Sequence, residues 1–271
     1  MGLYELFIGF RYLKAKKSQG FISFNTLLSI FIVFIGVFML IVVISVMNGF
    51  QSQIKDKILD VDFHISVINA YATETGEGIK DYKPIEEKVR STPGVKTATP
   101  FILGQGIVRF KTYITPVMIK GMGQLGDMPR DFSKFIVEGP RKFKKANDVY
   151  IGAEMAWNYA IRIGDRIELI VPKGRLTATT GVTPGTGHYR VAGFFKTGYY
   201  EFDTRMIILS LPGSQKLYDM GNVVWGVGAK LDDIYSMDRI KKELQKKLGY
   251  QYDPQTAEER NQNLFYALRL E

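Results

Sequence analysis

The hydropathy of the chain is dominated by one apolar run near the N-terminus. Seventeen of the twenty residues in 27–46 are large and apolar, and no charged residue occurs between positions 18 and 53. At about 1.5 Å per helical residue the run spans roughly 30 Å, the thickness of a bilayer core. On the translocon scale its insertion is favoured by at least about 5 kcal/mol. We therefore predict a transmembrane helix over 21–50.

Beyond this run the apolar and polar positions alternate or recur with helical spacing, as in a globular domain. The helix is expected to continue as a stalk over 51–60. The pattern predicts strands over 63–68, 106–110, 115–120, 165–171, 189–195, 205–211 and 223–231, and helices over 84–90, 153–160, 234–248 and 257–271. Because strands and helices interleave without a regular β-α-β period, the pattern favours an α+β domain of two lobes.

The charges around the apolar run predict its orientation. The basic residues before it are Arg11, Lys14, Lys16 and Lys17, whereas Lys55 and Lys57 after it are balanced by Asp56 and Asp60. The positive-inside rule then places the N-terminus in the cytoplasm and the later residues outside. A cleaved signal peptide is disfavoured, because the run is long and no small-x-small site follows it. Segment 1–20 is interpreted as a cytoplasmic amphipathic segment, with a tail of incidental periodicity as the alternative.

The composition removes several kinds of chemistry. The 271 residues include no cysteine, which excludes a thiol nucleophile, a disulfide and a thiolate zinc site. The two histidines, His64 and His188, are interpreted as structural. No P-loop motif occurs, and no catalytic residue, cofactor site or metal site is nominated. The net charge of +9 reflects basic clusters at 141–145 and 241–247, which we interpret as solvated faces rather than nucleic-acid sites.

Two glycine-rich segments need a separate interpretation. Gly121, Gly123 and Gly126 match a dinucleotide-binding pattern, but Pro129 and nearby acids do not suit a phosphate-binding helix start, so we expect a flexible crossing between lobes. The loop 173–187 has four glycines, one proline and almost no large apolar residue. A long loop of this kind is usually functional. We predict a protruding hairpin that offers backbone groups to a partner.

Five blocks of sequence, spread in order along the chain, resemble a known family. They are 7–13 (Phe-Ile-Gly-Phe-Arg-Tyr-Leu), 20–23 (Gly-Phe-Ile-Ser), 45–50 (Ser-Val-Met-Asn-Gly-Phe), 195–203 (Phe-Lys-Thr-Gly-Tyr-Tyr-Glu-Phe-Asp) and 262–271. Through these blocks the chain resembles the N-terminal part of the lipoprotein-releasing permeases LolC and LolE. Because members of that family have four membrane spans, the resemblance implies a piece of a longer protein, with 257–271 as a stalk helix leading toward a second span.

The resemblance implies a non-catalytic subunit of an ABC transporter in the bacterial inner membrane. Such a transporter extracts triacylated lipoproteins from the membrane and passes them to a periplasmic chaperone. The implied partners are a LolD-like ABC ATPase that binds ATP and Mg²⁺, a second permease copy or paralogue, a LolA-like chaperone, lipoprotein substrates and membrane lipid. The implied fold is a MacB-like periplasmic domain, with a porter-like lobe at 61–121 and 206–256 and a β-rich lobe at 122–205 that carries a hook-like hairpin at 173–187.

Two binding sites follow from the same resemblance. The residues implied for the chaperone-binding hook are Arg175, Thr179, Gly181, Thr183, Pro184 and Gly185, with Pro184 at the characteristic proline. The residues implied for a lipid and lipoprotein cavity at the exit of the first span are Val46, Met47, Phe50 and Ile54, and flexible Met and Phe side chains suit acyl chains. Plain lipid contact or helix packing is the alternative for each cavity residue.

Three other functions stay open from the sequence. One is a MacB- or FtsX-like permease for export or for regulation of a cell-wall hydrolase. Another is a single-span anchored periplasmic scaffold that is complete at residue 271. An enzyme is the weakest candidate, because it would need a polar pocket with a strongly perturbed carboxylate.

Overall fold

The structure, a computed structural model, describes residues 4, 7–8, 11, 20–71, 78–123, 125, 132–173 and 183–262. The chain divides into two compact units, Met1–Ile54 and Lys55–Glu271. Most of the predicted amphipathic segment 1–20, and the end of the predicted helix 257–271, lie outside the described residues.

Helix α1, Gly20–Val61, contains the apolar run and is 42 residues long. Its segment Phe24–Gln51 has a mean hydropathy of 3.3 in its most apolar window, and none of that window is buried. The hydroxyl of Ser29 donates to the carbonyl of Asn25 at 2.9 Å, so this polar group is satisfied within the helix. The predicted stalk residues 51–60 are part of the same helix.

The second unit is a mixed α/β domain. Its strands are β1 Ile65–Asn69, β2 Ile79–Lys80, β3 Val95–Phe110, β4 Tyr113–Met122, β5 Ile136–Glu138, β6 Asp148–Gly152, β7 Arg166–Lys173, β8 Thr183–Phe195, β9 Met206–Ser210, β10 Val223–Val224, β11 Gly226–Leu231 and β12 Tyr252–Thr256. Its helices are α2 Lys83–Arg90, α3 Ala153–Asn158, α4 Tyr200–Arg205, α5 Leu211–Tyr218, α6 Met237–Leu248 and α7 Ala257–Arg260. The expected α+β domain after an apolar helix is therefore confirmed.

One part of the domain is an open antiparallel sheet covered by two helices. The strand order is β12-β1-β11-β3. The apolar faces of α2 and α6 supply Ile85, Val89, Ile240 and Leu244 to a core shared with Val227 and neighbouring strand residues. Both helices were predicted from the sequence, and the apolar face of α6 was part of that prediction, although α6 is preceded by a 3-10 turn at Ile234–Ser236.

The other part is a closed ring of six strands. Pairing runs β3-β4-β9-β6-β8-β7 and returns to β3, with parallel pairs at β4-β9 and β6-β8. Fully buried side chains such as Ile119, Ile151, Leu169 and Ile207 form its interior. Strands β3, β4 and β9 come from the ranges assigned above to the porter-like lobe, and the lobe boundaries stay a prediction.

Strand β3 belongs to both parts and is longer than the sequence predicted. Residues 95–101 pair with β11 in the open sheet, and residues 107–109 pair with β7 in the ring. The first half escaped prediction because Ala98 and Thr99 are both buried, as are Phe101 and Ile102, so apolar and polar positions do not alternate there. Burial on both faces removes the period-two signal.

The glycine pattern at 121–126 was expected to form a flexible crossing between lobes. Its first glycine is instead part of a strand. Gly121 lies within β4, paired with Ile102. A Cβ atom at Gly121 would come within 1.9 Å of the hydroxyl of Ser214, which belongs to α5. The glycine therefore permits close packing of α5 on the strand, and Gly126 lies outside the described residues.

Candidate functional site

The predicted partner-binding loop belongs to a long antiparallel hairpin. Strands β7 and β8 pair from Arg166 opposite Arg190 to Lys173 opposite Thr183, which is about 25 Å of ladder. Residues 183–187, expected in the loop, are part of β8. The tip residues 174–182, which include Arg175, Thr179 and Gly181, lie outside the described residues.

The described end of the hairpin shows how its last residues are arranged. Pro184 lies opposite Pro172, and both are exposed, whereas Gly185 lies opposite Val171, and both are buried. Thr183 pairs with Lys173 as the last described pair. Since proline has no backbone N–H, neither residue can donate a backbone hydrogen bond to a further strand at this end. The outward face at this end is therefore available to another molecule.

The base of the hairpin is fixed to the rest of the domain. The buried hydroxyl of Tyr189 donates to the carbonyl of Gly213 in α5 at 3.0 Å, and burial raises the pKa of Tyr189 to about 12. Glu168 on β7 forms an ion pair with Arg109 on β3. Strand β7 is also paired with β3 through Ile170 opposite Ile107. A hairpin with such a base can present its tip in a defined position.

The proposed cavity residues lie at the end of the apolar part of α1. Val46 and Phe50 are 67% and 55% exposed, and Met47 is half-buried. Their spacing of three and four residues places Met47 and Val46 beside Phe50 on one side of the helix. The side chain of Ile54 is not among the described ones. Three of the four predicted residues thus form a continuous apolar strip.

The two histidines differ in environment. His64 is 5% exposed, its Nδ1 accepts a hydrogen bond from the backbone N–H of Leu231 at 3.1 Å, and burial is the main cause that lowers its pKa to about 4. His188 is exposed on β8. Among the described residues, no group of three or more His, Asp or Glu side chains is arranged to hold a metal ion.

Sequence reasoning missed one cluster of charged side chains. Asp62 contacts both Lys120 and Arg260, at 3.1 and 2.8 Å. These residues are 58 and 198 positions away from Asp62, so no spacing motif connects them. The only available signal was a lysine in an otherwise apolar predicted strand.

Comparison with known proteins adds three findings. The family described as "MacB-like periplasmic core domain" matches residues 26–247. The chain is 31% identical over 237 residues to "Lipoprotein-releasing system transmembrane protein LolC" of Neisseria meningitidis, covering 84% of this chain and 54% of that protein. It is 28% identical to the protein of the same name from Xylella fastidiosa, covering 97% of this chain and 63% of the relative.

Among solved structures, the periplasmic region of MacB from Actinobacillus actinomycetemcomitans is similar, with a TM-score of 0.49 and 10% identity. The similarity covers 76% of this chain and 95% of that one. The chain thus spans between about half and two thirds of the length of the two relatives above.

Proposed function

Because the chain belongs to the family of MacB-like periplasmic core domains, we propose that it is the N-terminal part of a permease subunit that releases lipoproteins from the inner membrane. The subunit passes them to a periplasmic chaperone and catalyses no covalent chemistry. The observation that carries the proposal is the similarity to the protein named LolC over 84% of the chain. An apolar helix that no other described residue covers supports it.

Helix α1 anchors the subunit, with the N-terminus in the cytoplasm and the mixed domain in the periplasm. The orientation rests on the basic residues before the apolar segment. The anchor works through its uncovered apolar side chains, which lipid would surround. Lipoproteins are themselves anchored by acyl chains, so a permease for them must offer an apolar surface at the membrane.

The strip of Val46, Met47 and Phe50, together with Ile54, is the proposed contact for those acyl chains. The exposure of Val46 and Phe50 supports this role, since an acyl chain can reach both. Met and Phe side chains adapt their shape to a flexible hydrocarbon. When acyl chains of a lipoprotein bind here they would displace membrane lipid. The apolar side chains would stay covered by hydrocarbon, so little hydrophobic free energy would be lost.

The hairpin β7-β8 is the proposed hook for the chaperone, through Arg175, Thr179, Gly181, Thr183, Pro184 and Gly185. Its fixed base, its length of about 25 Å and the exposed pair Pro172 and Pro184 support this role. A pre-positioned hairpin binds with less loss of conformational entropy than a free loop does.

Energy for release would come from partners. A LolD-like ATPase binds ATP and Mg²⁺ and hydrolyses ATP, while this chain binds no cofactor. A second permease copy or paralogue completes the transporter. ATP binding closes the paired stalks, moves lipid out of the cavity and displaces the periplasmic domains. The subunit therefore acts by transmitting movement.

The hook is tested with the complete complex and a purified LolA-like chaperone. Deleting residues 177–182, or replacing Pro184 by Ala, should abolish chaperone capture while the unfolding temperature of the domain is unchanged, because both changes keep the paired residues of β7 and β8. The matched control is Pro116→Ala, since Pro116 is also an exposed strand proline but lies on β4. Unchanged capture by the Pro184 and deletion variants would refute the hook.

A MacB- or FtsX-like permease for export or cell-wall hydrolase regulation shares the same domain family. The same capture experiment separates the two functions. A complex that never captures the chaperone, although its ATPase is active, favours export or hydrolase regulation. ATP-dependent transfer of a triacylated lipoprotein to the chaperone favours lipoprotein release.

A further inference from the structure

Three charged side chains meet at the base of the periplasmic domain. Asp62 accepts a hydrogen bond from Lys120 Nζ at 3.1 Å through Oδ1, and from Arg260 Nη2 at 2.8 Å through Oδ2. Arg260 also donates to the backbone carbonyls of Phe63 and Gln255, at 2.6 and 2.9 Å. One carboxylate thus joins two cations, and each of its oxygens has its own partner.

The cluster is largely removed from water. The side chain of Lys120 is 3% exposed, and those of Asp62 and Arg260 are 22% and 18% exposed. Burial would raise the pKa of Asp62, but the charges of Lys120 and Arg260 outweigh it and hold that pKa well below its ordinary value. The ammonium of Lys120 also lies 4.7 Å from the ring centroid of Phe63, a cation–π contact.

The three residues of the cluster lie on three separate parts of the fold, namely the end of α1, the end of α7 and strand β4. Asp62 directly follows Val61, the last residue of α1, and Arg260 is the last residue of α7. Lys120 lies near the end of β4, opposite Leu103 of β3 and Ile208 of β9, and so belongs to a strand of the ring. Asp62, just after α1, therefore joins Lys120 of the ring to Arg260 at the end of α7.

Stability alone does not explain such a cluster. Removing charges from water costs several kcal/mol for each ion, and replacing a buried ion pair by apolar groups of similar volume is often neutral or stabilising. A methionine in place of Lys120 would fill similar space beside Phe63. What the apolar replacement cannot supply is a directional bond between Lys120 of β4 and Asp62, since apolar contacts have no direction.

We propose that Asp62, Lys120 and Arg260 are positioning residues that couple the chain segments at both ends of the domain to the strand ring, and thereby to the hairpin β7-β8. The ring provides a backbone-paired connection, because Lys120 lies on β4, β4 pairs with β3, and β3 pairs with β7. This inference rests on the proposed function, in which movement at the stalk must reach the chaperone-binding hairpin.

The test uses the full-length permease with its ATPase, reconstituted in lipid vesicles with a fluorescent triacylated lipoprotein. The double variant Asp62→Asn/Lys120→Met removes both ion pairs of Asp62 with little change in volume, and the amide oxygen of the asparagine can still accept a hydrogen bond from Arg260. We expect an unchanged unfolding temperature, continued ATP hydrolysis and normal chaperone capture, but at least a tenfold lower release of lipoprotein per ATP hydrolysed. Lys120→Arg keeps the charge and should restore at least half of the wild-type ratio.

The matched control is Glu154→Gln/Lys196→Met. This pair also has an N–O distance of 3.1 Å, but its side chains are 35% and 56% exposed, and it joins α3 to the residue after β8. Its removal should leave the release ratio unchanged. If the Asp62 double variant folds poorly, Lys120→Met and Lys120→Arg are compared at equal amounts of assembled complex, where the release ratio of Lys120→Arg should be at least fivefold higher.

Each result decides between the hypotheses. Wild-type release per ATP in the folded double variant, or equal ratios for Lys120→Met and Lys120→Arg, would overturn the positioning role while leaving the proposed function intact. A wild-type complex that releases no lipoprotein would instead refute the proposed function, and the positioning role with it.

Discussion

The apolar residues of helix α1 and those of the mixed domain are of the same types but have opposite environments. In the helix, Ile41 and Phe38 are 58% and 53% exposed, whereas Ile119 and Ile151 of the ring are fully buried. The ring covers its own apolar surface, and the helix does not. A bilayer matches the length and composition of the helix, and lipid would cover its apolar side chains.

The polar groups show the same contrast. In the helix the backbone groups are satisfied within the segment, as a bilayer requires. In the domain some are satisfied across long distances in sequence, for example when the backbone N–H of Leu231 donates to Nδ1 of buried His64, 167 positions earlier, at 3.1 Å. The helix can therefore form alone in lipid, while the domain needs its complete fold.

The largest effect should come from placing charge in the middle of the helix. Phe38→Arg/Ile41→Arg should cost about 6 to 8 kcal/mol of insertion free energy, since each arginine costs about 2.5–3.5 kcal/mol and an apolar contribution is lost. We expect most of the protein to be extracted from membranes by alkaline carbonate. Tyr235→Arg/Tyr250→Arg, at positions 98% and 93% exposed in the domain, should stay membrane-bound. If alkaline carbonate extracted both variants equally, the apolar side chains of the helix would not be what holds the protein in the membrane.

The same substitution, isoleucine to alanine, can be made in the strand ring and in helix α1 to compare the two regions. Ile151→Ala opens a cavity inside the ring and should lower the free energy of unfolding of the domain by about 2–5 kcal/mol. Ile41→Ala in the helix should leave that free energy unchanged. Denaturant unfolding of the purified protein in detergent measures both. A similar loss for the two variants would mean that the helix is covered by the domain.

The same contrast explains what the sequence could predict. Helix α1 was predictable because a single long uncharged run needs no information from elsewhere in the chain. The hairpin was predictable in outline, since alternation over 165–171 and the glycines of 173–187 are local signals. The boundary of β8 was wrong, because Pro184, Gly185 and Gly187 are poor strand formers and the segment is held in the strand by pairing with β7.

Features that depend on distant pairing were not predictable. The ring closes through parallel pairs between segments far apart in sequence, β4 with β9 and β6 with β8. Strand β6 was missed, because its five residues are all buried and show no alternation. The Asp62 cluster likewise exists only after the chain has folded. Local patterns carry no information about which distant residues meet.

Acidification should weaken the domain through His64 by about 2 kcal/mol between pH 7.5 and pH 5. The pKa of this histidine is about 4 in the folded domain and 6.5 ordinarily, so the unfolded chain binds a proton first. The stabilising effect is complete above pH 6.5 and is lost as the pH falls toward 4. Unfolding free energies measured across this range should show the loss.

His64→Asn is the matched variant, because an asparagine oxygen can still accept the N–H of Leu231 but does not titrate. Between pH 7.5 and pH 5 the free energy of unfolding of this variant should fall by about 2 kcal/mol less than that of the wild type. His188→Asn, at an exposed position, should leave the wild-type curve unchanged. If the free energy of unfolding of His64→Asn fell with pH as steeply as that of the wild type, groups other than His64 would be responsible for the acid sensitivity.

The smallest effect concerns α7, a short helix held by the domain rather than by lipid. Thr256 Oγ1 accepts from the N–H of Glu259 at 3.2 Å, and Glu259 accepts from the N–H of Thr256 at 2.9 Å, a capping box. Thr256→Ala should lower the free energy of unfolding by about 1 kcal/mol. Thr204→Ala, which removes an exposed hydroxyl bonded within α4, should cost less. Equal losses would show that the cap does not hold α7.

Cysteine labelling tests the central claim, one membrane crossing with the domain outside, most directly. The chain has no cysteine, so a single introduced thiol reports a single position. In intact spheroplasts, Tyr235→Cys should react with a membrane-impermeant maleimide, whereas Lys16→Cys should react only after the membrane is permeabilised. Labelling of Lys16→Cys in intact spheroplasts, or protection of Tyr235→Cys there, would contradict the account.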